Sequence, residues 1–114
     1  MQAHHASLNT VKLTARIAEA SPLRYTPAGI PALNFVLEHE SQMVESGVAR
    51  QVKLTIKAVA FGLLAESSGQ LELGKPQVFT GFLTHARASK SLVFHIQAIH
   101  QALQQSPDPV LNLI

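Results

Sequence analysis

Rings and sulfur are scarce in this chain: of its 114 residues none is cysteine, none is tryptophan, and Tyr25 is the only tyrosine. Without cysteine there is neither a disulfide framework nor a thiolate zinc site, which fits a reducing cytoplasm. Charge is thin as well. Charged residues make up 14% of the chain and the formal net charge is +2, so bulk charge alone identifies no polyanionic partner. No apolar run approaches the roughly 20 residues of a membrane span. The opening MQAHHAS lacks the basic-then-apolar order of a secretory signal. A soluble, cytoplasmic protein with no membrane association is expected.

Catalytic and ligand motifs are equally thin. GQLELGKP at 69–76 begins like a phosphate-binding loop, but Pro76 stands where serine or threonine would hold magnesium. A strand pattern follows it rather than a helix N-terminus, so Gly74 reads as a turn. The six histidines are scattered; His95 and His100, five apart on a strand, should face opposite sides. No acid stands at metal-ligand spacing from them. The single aspartate, Asp108, lies in a proline-bearing tail, and no nucleophile elbow is present. Neither an enzyme, nor a metal, nor another cofactor is expected.

What the chain does have is period-two alternation. Val11, Leu13, Ala15 and Ile17 alternate with Lys12, Thr14 and Arg16, the mark of a half-buried first strand. Thr26-Pro27-Ala28-Gly29 fits a type I turn in a stiff loop, and the prolines at 27 and 31 push their predecessors toward extended geometry. A second strand is expected at 32–41, with Leu33, Phe35 and Leu37 on one face, followed by a turn over 42–48 around Gly47. The third strand, 49–60, puts Val52, Leu54, Ile56 and Ala58 on one side and Lys53, Thr55 and Lys57 on the other.

Residues 61–73 break the pattern and suit a short helical turn or loop. A fourth strand at 77–85 carries Gly81 as an expected bulge or bend, and Phe79 and Phe82 on it have opposite parity. A basic hairpin loop, 86–91, leads to a fifth strand at 92–103. Residues 1–7 read as a frayed lead-in and 104–114 as a tail, leaving one domain over 1–103.

Five short strands with an irregular link between the third and fourth predict an all-β fold, the five-stranded Greek-key OB barrel. An immunoglobulin-type sandwich needs about seven strands. In such a barrel the loop between strands one and two and the loop between strands four and five flank the face of strands two and three. Here those loops carry Arg24 and Tyr25, and Arg87 and Lys90, while the third strand carries Arg50, Lys53 and Lys57. Three separate stretches thus converge on one groove, whose cations would hold phosphates while Tyr25 stacks on a base. Lysines on the wet face of a half-buried strand are also ordinary, and Tyr25 would then merely cover one end of the core.

PLRYTPAGIPALNFVLEHES at 22–41, GVARQVKL at 47–54 and GFLTHARASKSLVFHIQAI at 81–99 resemble the primosomal replication protein N family of bacterial single-stranded-DNA-binding proteins. The likeness extends over roughly residues 8–103. It implies a homodimer of OB-folds that binds single-stranded DNA at replication forks, assisting the primosomal helicase among other primosome proteins. Two positions depart from the pattern: Lys53 stands where an aromatic residue can occur, and Glu40 where a basic residue can close the second strand. Two alternatives stay open, an RNA-binding OB module and an OB adaptor acting mainly through protein contacts.

Overall fold

A computed structural model describes residues 7–102. It contains β1 (Val11–Ala20), β2 (Arg24–Tyr25), β3 (Pro31–Glu45), β4 (Val48–Phe61), α1 (Leu63–Ser68), β5 (Pro76–His85) and β6 (Leu92–Gln101). Residues 1–6 of the expected lead-in 1–7, and the tail expected at 104–114, lie outside the described residues. Among the described residues no helix is long and apolar enough to cross a membrane.

The five long strands close on themselves. The hydrogen-bonded order is β1-β5-β6-β4-β3, and β3 returns to β1. All neighbours run antiparallel except β4 and β6, which are parallel from Lys57↔Val93 to Val59↔His95. With α1 inserted between β4 and β5, this is the expected OB barrel. The sixth strand, β2, was not expected: Arg24 and Tyr25 pair with Ala32 and Pro31 and extend the sheet by two residues.

The barrel interior takes one parity of each strand. Ala15 and Ile17 of β1, Leu33, Phe35 and Leu37 of β3, Ala58 and Ala60 of β4, Phe79 of β5, and Phe94 and Ile96 of β6 are all buried, with Ala65 of α1 closing one end. On β4 the apolar side expected to be inward is only half used. Ile56 and Ala58 meet the core, but Leu54 remains 39% exposed because the first half of β4 runs beyond the barrel.

That overhang corrects the expected turn at 42–48. β3 and β4 stay paired up to Glu45↔Val48, and Ser46 and Gly47 alone make the turn, with φ of 51° and 77°. Two consecutive positive φ values are what a two-residue hairpin with the right twist needs. Residues 42–48 were illegible as strand because neither face of the arm there meets the core, so apolar and polar residues have no reason to alternate.

The irregularity expected at Gly81 is present, and β6 supplies the extra residue. Thr80 pairs with Ala98 and Gly81 with Ile96, leaving Gln97 unopposed. A Cβ on Gly81 would stand 1.9 Å from the carbonyl oxygen of His95, so glycine permits this close approach. The bulge also shifts parity beyond it. His95 opposite Phe82 and His100 opposite Val78 therefore share the outer face, contrary to the opposite sides their spacing alone suggests.

Candidate nucleic-acid interface

Directly paired residues of neighbouring strands point to the same side of a sheet, so the register maps the barrel's outer surface row by row. The first row is Arg24–Ala32–Phe61. The next is Asn34–Val59–His95–Phe82. Then comes Glu19–Val36–Lys57–Val93–Thr84. Nearer the arm follow Arg16–Glu38–Thr55 and Glu40–Lys53. β1, β3 and β4 thus present one continuous face, as the barrel topology requires.

Two loops border it. Residues 26–30 are held by the Gly29 amide donating to the Thr26 carbonyl at 2.8 Å and the Thr26 amide donating to the Ile30 carbonyl at 2.9 Å. The Thr26 hydroxyl also accepts the Ile30 amide at 3.1 Å. This stiff turn leads Arg24 back along β3, where its Nε donates to Asn34 Oδ1 at 3.0 Å. Opposite, the loop after β5 is closed by the Ala86 amide donating to Ser91 O and the Ser89 amide donating to Ala86 O, both at 3.0 Å. Because β6 runs parallel to β4 from Val93 beside Lys57, this loop ends level with Thr55, and its Arg87 and Lys90 are exposed there.

The seven candidate residues therefore separate. Lys53 and Lys57 share the outer face with Arg24, and Arg87 and Lys90 stand at its border. Arg50 does not join them: it pairs with Met43 on the other side of the arm, and its Nε lies 2.7 Å from Glu45 Oε1. Tyr25 is 62% exposed, but it follows Arg24 on a strand and so turns to the opposite side.

Charge divides the face in two. Toward the arm, Arg16 Nε lies 3.6 Å from Glu38 and its terminal nitrogen 3.8 Å from Glu40, while Lys53 Nζ lies 3.4 Å from Glu40. Two cations and two carboxylates there cancel. Toward β2, Arg24 and Lys57 form no ion pair among the described residues, and Glu19 is the acid that shares their rows.

This second half also holds rings that sequence reasoning had left unplaced. His95 lies between two phenylalanines, 5.7 Å from the Phe61 centroid and stacked on Phe82 at 5.0 Å with 24° between planes. Phe61 is 42% exposed. A partly open ring beside unpaired cations is a stacking platform for an unpaired base. The signal was present in the sequence: Phe61 has the parity of Lys57, four residues on, but the expected third strand stopped at 60. Among the described residues no cluster of three or more His, Asp or Glu could hold a metal.

Known proteins resemble this chain in sequence and in fold. A family described as "another single-strand binding protein family" matches residues 9–98. The replication restart protein PriB of Bordetella pertussis is 46% identical over 107 residues, spanning 92% of this chain and 100% of that protein. PriB of Neisseria gonorrhoeae is 42% identical over 94 residues, 82% of this chain and 93% of its own. The solved structure of PriB from Ralstonia solanacearum superimposes with a TM-score of 0.76 at 37% identity, covering 83% of this chain and 98% of that one. A single-stranded-DNA-binding domain from Synechococcus matches at a TM-score of 0.64 and 23% identity, covering 86% of this chain and all of that one, a likeness of fold.

Proposed function

Because the chain belongs to the single-strand binding protein family, among the PriB-type replication restart proteins, we propose that it binds single-stranded DNA during replication restart. The observation that carries the reading is the half-face where Arg24, Lys57 and the exposed Phe61 lie together, bordered by Arg87 and Lys90. The cations take phosphates and release counterions, while the ring takes a base. No step of bond making is involved, and the protein acts in the bacterial cytoplasm as a primosome accessory that assists the primosomal helicase. A second copy of the chain completes the functional unit. Among the described residues Val11–Leu13 pair with β5 on one side only, and their other edge is open to such a partner.

The deciding experiment is fluorescence anisotropy of a labelled oligothymidine titrated at low and at physiological salt. Binding that weakens steeply with salt supports the reading, and absence of binding at both salts overturns it. A matched RNA oligomer as competitor distinguishes an RNA module, since only the 2′-hydroxyl differs.

One observation favours a second reading, an adaptor that docks proteins. Met43, Val44 and Val48 at the tip of the arm are each more than half exposed, and the rows beside the arm are electrically neutral. Retention of a primosome protein on the wild-type chain after nuclease treatment, lost on truncating the arm tip, would support it.

A further inference from the structure

We infer that Glu40 is a built-in occupant of a phosphate site, and that it thereby sets how tightly, and along which rows, a single strand is held. The inference rests on the DNA-binding reading above and concerns the half of the face whose charges cancel.

Glu40 lies between two cations from different strands. One carboxylate oxygen is 3.8 Å from the Arg16 guanidinium, and the other is 3.4 Å from Lys53 Nζ. Two oxygens each facing their own cation is also how a backbone phosphate presents its non-bridging oxygens to basic side chains. Glu38 meets Arg16 Nε at 3.6 Å, so the quartet carries no net charge. The four residues line a cleft of about 390 Å³. Their side chains are between 40% and 71% exposed, so an arriving strand can reach them.

The competitor is fixed in place by the fold. Glu38 stands directly opposite Arg16 across β1 and β3, and Glu40 directly opposite Lys53 across β3 and β4. The register keeps both carboxylates within reach of these cations. A phosphate entering this cleft must displace Glu40 from both cations. A phosphate beside Lys57 or Arg24 displaces no ion pair. Exposed pairs are individually weak, so Glu40 biases the path of the strand and tunes its affinity without closing the face.

The test compares wild type, Glu40→Gln, Lys53→Ala and the double variant Glu40→Gln/Lys53→Ala in oligothymidine titrations at several salt concentrations. Glu66→Gln, which removes an acid from α1 away from the face, controls for net charge. Glu40→Gln should tighten binding about fivefold at physiological salt, the factor one exposed ion pair supplies. Its log–log salt slope should steepen by about 0.7 as Lys53 becomes free to meet a phosphate, while Arg16 keeps Glu38. Glu66→Gln should match wild type. Lys53→Ala alone should cost less than about twofold, and the same change on top of Glu40→Gln should cost about fivefold. If wild type binds and Glu40→Gln binds no better, or if Glu66→Gln tightens binding as much, the assignment to Glu40 is wrong. If neither wild type nor Glu40→Gln binds at any salt, the DNA reading itself falls, and this inference with it.

Discussion

Arg24 and Asn34 are joined by a single side-chain hydrogen bond of 3.0 Å, from Nε to Oδ1. The bond ties the short β2 to the first, turn-side residues of β3 and holds the guanidinium over the outer face, leaving its terminal nitrogens free to meet a phosphate. Arg24→Ala should weaken oligothymidine binding alike for every base composition and lower the salt slope by about 0.7. Asn34→Ala should leave the slope nearly unchanged but reduce affinity about twofold, because the guanidinium loses a net bond of about 0.5 kcal/mol that positions it. Equal slopes for Arg24→Ala and wild type would remove Arg24 from the contact.

Phe61 and Lys57 lie two rows apart on the same face of β4 but act through different forces, and salt separates them. Phe61→Ala removes a stacking surface, so affinity should fall by about 1–3 kcal/mol with the slope preserved. Lys57→Ala removes a charge, so the slope should drop by about 0.7 and the loss should fade at high salt. Anisotropy titrations of both variants across salt give the two signatures. A Phe61→Trp variant would additionally report binding through its own fluorescence, since the protein has no tryptophan.

Tyr25 and Arg50 make the complementary case. Both are exposed, and both turn to the side of their strands away from the row of Lys57. Tyr25→Ala should change oligothymidine affinity by less than about twofold, since surface changes away from a contact are worth within roughly 0.5 kcal/mol. Arg50→Ala should behave in the same way. A clear loss in either variant would show that the strand wraps past the edge of the sheet onto its reverse.

Gly81 has a structural consequence that can be measured without DNA. An alanine there places its Cβ 1.9 Å from the His95 carbonyl oxygen, a backbone atom that cannot rotate away. Gly81→Ala should destabilise the barrel by about 3 kcal/mol, visible as an earlier urea midpoint with an unchanged slope. It should also disturb the stacking of His95 on Phe82, and so weaken binding even where the variant remains folded.

The barrel was legible wherever a strand has one wet and one dry face. Ile17, Leu37 and Phe79 announce the interior by alternation, and Gly81 announces the irregularity opposite it. Residues 42–48 carried no such signal because both faces of the arm meet solvent. The candidate site was half legible for a related reason. Composition and parity identify Lys53 and Lys57 as neighbours on one face, but a cation's availability depends on what stands across the ladder. Lys53 faces Glu40 while Lys57 faces Val36, a distinction set by the β3–β4 register. The stacking of His95 between Phe61 and Phe82 joins three strands, and no local pattern encodes it.

The parallel seam between β4 and β6 has a bearing on how the chain acquires its shape. Phe94 and Ile96 are the last buried core residues in chain order among the described residues, and the strand carrying them bonds both β4 and β5. Until it arrives, β4 and β5 each present an unsatisfied edge, and the apolar interior lies open between them. β1 meanwhile waits for β5, whose partner residues lie 60 to 70 positions later. A chain emerging from the ribosome cannot close this ring strand by strand. It closes once, late, when β6 has been made.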